Sequence, residues 1–144
     1  MTVSRAQVLR EARAWIGTPF HHQGRQKGLG VDCVGLTIGI ALRLGLIDEP
    51  LAQSLPTDYR QNPDAKLMKK LLQQHMSPCW PPEPGDWIWV AKVGHLPTHL
   101  AMIAGDASFI HADATRKAVV EHPLRAAHLR MAKGAFAYKG IAGG

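Results

Sequence analysis

One stretch of apolar helix constrains this chain more than any other feature. From Asp32 to Leu44, Val34, Leu36, Ile38, Ile40, Ala41, Leu42 and Leu44 fall around most of a helix circumference, not along one stripe. Such a helix is stable only when covered on several sides, so the rest of the chain must wrap around it. Gly35 and Gly39, four residues apart, leave room for another element to approach closely. Asp32 is a good N-cap and Gly45 a good stop. Cys33 then takes the first helical position, where unpaired N–H groups favour negative charge. A thiolate is negative, so the position predicts a lowered thiol pKa and a nucleophile available near neutral pH. The competing reading is a buried structural cysteine behind an ordinary cap, and the flanking chain has to decide between them.

Ahead of this helix, Ser4 to Ile16 reads as a first helix. Ser4 and Gln7 have capping-box spacing, Val8, Ala12, Trp15 and Ile16 mark one face, and Gly17 stops it. Phe20 to Gly30 is a loop with His21, His22, Arg25 and Lys27 among three glycines. No Gly-Lys-Ser/Thr ending follows, which excludes a phosphate loop. Leu46 to Pro63 is a long connection interrupted by Pro50, Pro56 and Pro63, and connections of that length are often functional. Tyr59 and Arg60 are its best-suited ligand contacts. Asp64 caps a third, amphipathic helix with Leu67, Met68, Leu71, Leu72 and Met76 inward and Lys66, Lys69, Lys70 and Gln73 outward.

After the proline-rich segment around Cys79 the hydrophobic period changes from helix to strand. Pro84-Gly85-Asp86 is a turn, and Trp87 to Val93 alternates as a strand with both tryptophans on its core face. Thr98–Ala104, Ser108–Ala112, Ala118–Glu121 and Ala135–Ile141 read as further strands, with a short helix over Ala126–Lys133. Helices first and an antiparallel sheet second make an α+β fold, expected to be one domain over residues 1–144.

Two polar residues interrupt those apolar strands: His99 in Thr98-His99-Leu100-Ala101 and His111 in Ile110-His111-Ala112-Asp113. A hairpin loop of Ala104–Asp106 would set them directly opposite, with Cβ atoms about 4.5–5.5 Å apart. A loop of Gly105–Ala107 would set them diagonally, about 7–8 Å apart. A two-residue loop would put them on opposite faces, because side chains alternate along a strand. On a shared face, His99 can take the proton of Cys33 while His111 fixes its tautomer, and Asp113 offers a second orienting group. Zinc is a competing use of Cys33, His99, His111 and His22, but no Cys-x-x-Cys or His-x-x-x-His pair anchors such a site. We therefore expect no metal and no cofactor.

Charge and cysteine usage narrow the partners only a little. Seventeen Lys and Arg against eleven Asp and Glu give a formal charge of +6, which suits any polyanion. The basic residues are scattered and no helix-turn-helix or zinc-finger spacing is present, so nucleic acid is not expected as a partner. No apolar run is long enough to span a bilayer. Met1 to Arg5 lacks the basic-then-apolar pattern of a secretory signal, so synthesis and retention in the cytoplasm are expected unless the protein leaves by lysis or in a larger assembly. The two cysteines, Cys33 and Cys79, are then expected as free thiols, with Cys33 the better placed for chemistry.

The ordered motifs Asp32-Cys33-x-Gly35-Leu36, Pro84-Gly85-Asp86, Thr98-His99-Leu100-Ala101 and Ile110-His111-Ala112 resemble those of the NlpC-type family of papain-like cysteine peptidases, over about Val8 to Ala112. The resemblance is nearest the branch encoded by tailed phages and gene transfer agents. It implies a papain-like α+β fold in which the nucleophile helix packs on a C-terminal antiparallel sheet. By position it implies Cys33 as nucleophile, His99 as base and His111 as the third polar residue. It implies cleavage of amide bonds in bacterial peptidoglycan stem peptides, with tail hub or baseplate proteins as partners and a place in the virion. Two positions depart from the family pattern: Val34 stands where serine is usual, and Phe20 where a tyrosine is expected. The oxyanion then falls to the Cys33 backbone N–H, with His21 or His22 as the added donor. Arg25, Lys27 and Arg60 are candidates for the substrate's carboxylates. The alternative from another class is a catalytically silent tail-hub or adaptor protein on the same fold.

Overall fold

The computed structural model describes residues 2–55, 65–91, 99–105 and 107–142. Helix α1 spans Arg5–Ala14, and its capping box is formed as the sequence predicts: Gln7 N–H donates to Ser4 Oγ, and Ser4 N–H to Gln7 Oε1. It is shorter than expected, because the chain reverses at Gly17 with φ +92°, a left-handed conformation suited to glycine. Ile16 consequently points out and is 43% exposed, while Val8, Ala12 and Trp15 are buried.

After α1, residues Gly17 to Phe20 run beside strand β7, Ala118–Pro123, exchanging backbone hydrogen bonds with Val119 and Lys117. The loop that follows contains a two-residue ribbon, β1 (Arg25–Gln26) on β2 (Gly30–Val31), closed at Gly28. Helix α2, Cys33–Arg43, begins directly after it. Leu36, Thr37, Ile40 and Ala41 are buried, and of the predicted apolar set Val34, Ile38, Leu42 and Leu44 are half-buried, so the helix is covered on several sides. Both glycines work as expected. A Cβ on Gly39 would overlap the Trp15 ring, and one on Gly35 would overlap the Gly24 carbonyl. These contacts draw α1 and the preceding loop tight against α2.

The long connection holds a helix the sequence reading missed, α3 over Glu49–Ser54, capped by Asp48 with Pro50 in its first turn. Proline ends a helix interior but fits its first turn, where no N–H partner is lost. Helix α4, Ala65–His75, buries Met68 and Leu72 and exposes Lys66, Lys69, Lys70 and Gln73, as its pattern predicts. Asp64 and Tyr59 lie outside the described residues.

Met76 leaves the helix and opens β3, Met76–Pro78, a strand within the supposed connector. It is the edge strand, the place where a proline is tolerated in a sheet. Six longer elements follow: β4 Trp87–Val90, β5 His99–Gly105, β6 Ser108–Asp113, then β7, helix α5 (Ala126–Met131) and β8 (Ala132–Tyr138). The antiparallel sheet has the order β3-β8-β4-β5-β6-β7. Strand β8 begins three residues earlier than expected, because α5 runs straight into it and Ala132 already pairs with Val90.

Alternation divides the sheet into two faces. Trp87, Trp89, Leu100, Met102, Ile110, Val119 and Phe136 join Leu36, Ile40 and Trp15 in the main core. Ile88, Ala101, Ile103, Phe109 and Ala135 form a smaller apolar layer on the other face. The Tyr138 hydroxyl donates to the Thr37 carbonyl at 2.6 Å, fixing α2 against β8. Pro84-Gly85-Asp86 ties the layers together. Asp86 is 1% exposed, receives Arg5 of α1 at 2.8 Å, and bonds β5 through its carbonyl and the Ile103 N–H. Helices on an antiparallel sheet, with α2 against β5 and β6, make the α+β, papain-like arrangement expected from the sequence.

Candidate active site

Asp32 holds the start of α2 with both carboxylate oxygens. Oδ1 accepts from Gly35 N–H and Oδ2 from Gln23 N–H, each at 2.8 Å. Fully engaged in this way, Asp32 serves as cap and as a clamp on the preceding loop. Cys33 follows, 8% exposed, and Thr37 Oγ1 donates to its carbonyl at 2.8 Å. The Leu100 N–H reaches the sulfur from β5, as do the N–H groups of Val34 and Cys33 from the helix start. The nucleophile candidate is therefore seated against the residue next to His99.

The expected fall in the thiol pKa is not what the structure produces. Burial, and then the neighbouring Asp32 charge, push Cys33 up to about 12 against the three backbone N–H groups. The helix start acts in the predicted direction, but loss of water around the sulfur outweighs it. Cys33 rests as a thiol, and its proton must leave at the moment of attack. Cys79 is also pushed up to about 12, by burial and by Asp86, whose Oδ2 accepts from its Sγ at 3.4 Å. Both cysteines are free thiols, as the sequence reading expects.

The two strand histidines meet. Gly105 pairs with Ser108, a two-residue loop that by simple alternation would part the histidines, but a register shift between Ile103 and Gly105 offsets it: Met102 pairs with Ile110, and continuing that register places His99 diagonally from His111. Nε2 of His99 lies 2.8 Å from Nδ1 of His111, and the rings stand nearly perpendicular with centroids 5.1 Å apart. Burial, followed by the charge of His99, lowers His111 to about 4, so it is a neutral imidazole near pH 7. A neutral His111 protonated on Nε2 accepts from His99 Nε2–H, which leaves Nδ1 of His99 as the atom suited to take a proton.

The remaining predicted residues separate. Asp113, expected as a second orienting group for His99, faces His111 and His122. Its Oδ2 lies 3.8 Å from His111 Nε2 and 3.3 Å from His122 Nε2, while Oδ1 accepts from the Thr115 and Arg116 N–H groups of the turn. Burial alone would raise the Asp113 carboxyl, but those bonds hold it below the usual range. His21 is exposed with Nδ1 2.9 Å from the His22 carbonyl, and its N–H donates to Val31, two residues before Cys33. Phe20 bridges to Val31 and packs on the core.

Arg25 donates to the Ala52 carbonyl at 2.9 Å, joining β1 to α3. Lys27 pairs with Glu11 at 2.7 Å and lies over Trp15, so its charge is committed to α1 and not presented to a substrate. Arg60 lies outside the described residues. The zinc set considered from sequence is not the one assembled: among the described residues, the donors that converge are His111, Asp113 and His122. The sequence reading misses His122 because it ends β7 two residues early, at Glu121. Extending the alternation by one residue puts it opposite Phe109, on the face of His111.

Among the described residues no helix is long and apolar enough to cross a membrane. No curated protein sequence matches the chain. Solved structures do. The NlpC/P60 domain of the peptidoglycan hydrolase SagA has TM-score 0.60 and 20% identity, covering 94% of this chain and 99% of that one. An NlpC/P60 family protein from Bacillus cereus has TM-score 0.68 and 22% identity, over 96% of this chain and 41% of that one. The peptidoglycan hydrolase RipB of Mycobacterium tuberculosis has TM-score 0.56 and 20% identity, over 96% of this chain and 65% of that one. The chain thus spans less than half the length of the Bacillus cereus protein, and likewise of a Staphylococcus aureus member of the family. At these identities the likeness is one of fold. The sequence profile of the NlpC/P60 family matches residues 17–133, from the loop before α2 to the start of β8, and the chain belongs to that family.

Proposed function

We propose that this protein is a cysteine peptidase that hydrolyses an amide bond in peptidoglycan stem peptides. The observation that carries the reading is the His99–His111 bond of 2.8 Å on the strand whose Leu100 N–H reaches the Cys33 sulfur. That arrangement supports a series of nucleophile, base and orienter.

In this mechanism Nδ1 of His99 accepts the Cys33 proton as sulfur attacks the substrate carbonyl carbon. The oxyanion is met by the Cys33 backbone N–H at the α2 start, with His21 or His22 as the side-chain donor from the adjoining loop. The His99 imidazolium returns its proton to the departing amine, leaving an acyl thioester on Cys33. Water then adds with His99 as base, the C–S bond breaks, and thiol and carboxylate product are released. Because the resting thiol is held protonated, attack and proton transfer are coupled, and His99 cannot be bypassed. Arg25 and Arg60 are the remaining candidates for the substrate's carboxylates.

The motif resemblance to the phage and gene transfer agent branch supports a place in a tail tip, among hub or baseplate proteins, where wall cleavage aids genome delivery. Antibody labelling of purified particles tests that placement: signal at the tail tip is expected, and signal only in the soluble fraction contradicts it. The second reading is a silent adaptor on the same fold, favoured by Phe20 and by the buried thiol. Incubating wild type and Cys33→Ala with purified peptidoglycan and weighing the released fragments by mass spectrometry separates the two.

A further inference from the structure

One side-chain cluster reaches beyond the peptide-bond chemistry, which uses only His111 of its three members. Beside Phe109, Nε2 of His122 lies 3.3 Å and Nε2 of His111 3.8 Å from the same Asp113 oxygen, Oδ2. The three donor atoms all lie within 4.8 Å of one another. Nε2 of His111 is buried and has no hydrogen-bond partner among the described residues, although such atoms nearly always have one. Asp113 divides its labour: Oδ1 holds the Thr115–Arg116 turn, which aims Oδ2 at the two imidazoles.

Two imidazoles and one carboxylate suit a borderline ion with a water in the fourth position, not calcium or magnesium, which take oxygen ligands. Donors about 2.0–2.1 Å from a tetrahedral zinc stand roughly 3.4 Å apart, so the observed spacings close on an ion with small side-chain shifts. A ligating histidine is normally oriented by a hydrogen bond from its other ring nitrogen. Here that nitrogen, Nδ1 of His111, already faces Nε2 of His99.

We propose that His111, Asp113 and His122 form a site for a divalent transition-metal ion, zinc by its donor set, and that filling it switches the His99 base off. With the ion absent, His111 carries its proton on Nε2 and accepts from His99 Nε2–H. An ion takes the Nε2 lone pair, so the His111 proton sits on Nδ1 and is donated to His99 Nε2. The His99 proton is then on Nδ1, the nitrogen that has to accept from Cys33. Each ring proton changes nitrogen, none is gained or lost, and the sulfur keeps its own. The switch rests on the His99–Cys33 mechanism proposed above, whereas ion binding does not.

Cobalt(II), followed by its visible absorption, is titrated into Cys33→Ala protein, with zinc as competitor. One equivalent is expected to bind. Adding His122→Asn, or Asp113→Asn, which keeps the turn-capping oxygen, is expected to weaken binding at least tenfold in proteins with unchanged melting curves. In the hydrolysis assay, zinc at site-saturating concentration is expected to inhibit the wild type. His122→Asn should keep its metal-free rate within about twofold and require at least tenfold more zinc. No binding at millimolar metal, or binding lost in Cys33→Ala but retained in His122→Asn, overturns the site. Saturation without inhibition overturns the switch. A metal-free wild type that cleaves nothing speaks against the peptidase reading, and the cobalt titration still decides the site.

Discussion

Nε2 of His99 and Nδ1 of His111 are 2.8 Å apart, joined across neighbouring strands in a diagonal register. In the proposed mechanism a neutral His111 holds His99 in its one base-competent tautomer. His111→Ala removes the acceptor and frees the His99 ring to rotate and to exchange tautomers. We expect kcat to fall roughly 10²-fold or more with little change in KM. Steady-state kinetics on a defined stem-peptide substrate checks this. A change confined to KM would mean that His111 binds substrate instead.

Cys33 sits at about 12, raised first by burial. Its thiolate fraction is therefore negligible from pH 6 to 9 unless the proton can pass to His99. Iodoacetamide should modify Cys33 at neutral pH in the wild type at least tenfold faster than in His99→Ala. In that variant the rate should keep climbing beyond pH 9 with no plateau near 7. Mass spectrometry of the tryptic peptides reads both cysteines at once. Equal rates in the two proteins would detach the nucleophile from the base. Cys79→Ala should retain activity, since Cys79 donates to Asp86 and packs beside both apolar layers.

What the sequence made legible was the periodic part. The all-round apolar pattern of α2 and the capping box of α1 need only local rules, whereas the shared face of His99 and His111 also needs the register shift in β5. The misses have physical causes. Pro50 and Pro78 were read as breakers, yet one occupies a helix first turn and the other an edge strand, where the missing N–H costs nothing. The Cys33 pKa was misjudged because a helix start is visible in sequence and desolvation is not. Lys27 resembles a substrate-binding residue until its partner Glu11, sixteen positions away, is seen beside it.

Asp86 tests how the layers are tied. Its carboxylate accepts from Arg5 of α1 and from the Glu83 N–H while almost fully buried. Asp86→Ala leaves the Arg5 guanidinium with the Pro84 carbonyl and the outer Glu83 carboxylate in place of the buried one, so the loss is that of breaking a buried pair, about 3 kcal/mol. Urea denaturation monitored by tryptophan fluorescence measures it. A loss under about 0.5 kcal/mol would show that the turn holds without this bond.

Gly39 tests the helix pair. A methyl group there would overlap the Trp15 ring, and Trp15 is buried, with its Nε1 bonded to Glu11. Gly39→Ala gains helix propensity but forces the ring aside, and overpacking of this kind costs about 1–3 kcal/mol. Thermal melting should fall accordingly, with activity per folded molecule little changed. A higher melting temperature would mean that the ring has room the structure does not show.

The central claim is that Cys33, served by His99, cleaves peptidoglycan. The most direct measurement incubates wild type and Cys33→Ala, matched for folding by circular dichroism, with purified peptidoglycan and identifies soluble fragments by mass. Wild type should release stem-peptide fragments bearing a new carboxylate and a new amine, and Cys33→Ala should release none. Equal release by the two proteins would contradict the account.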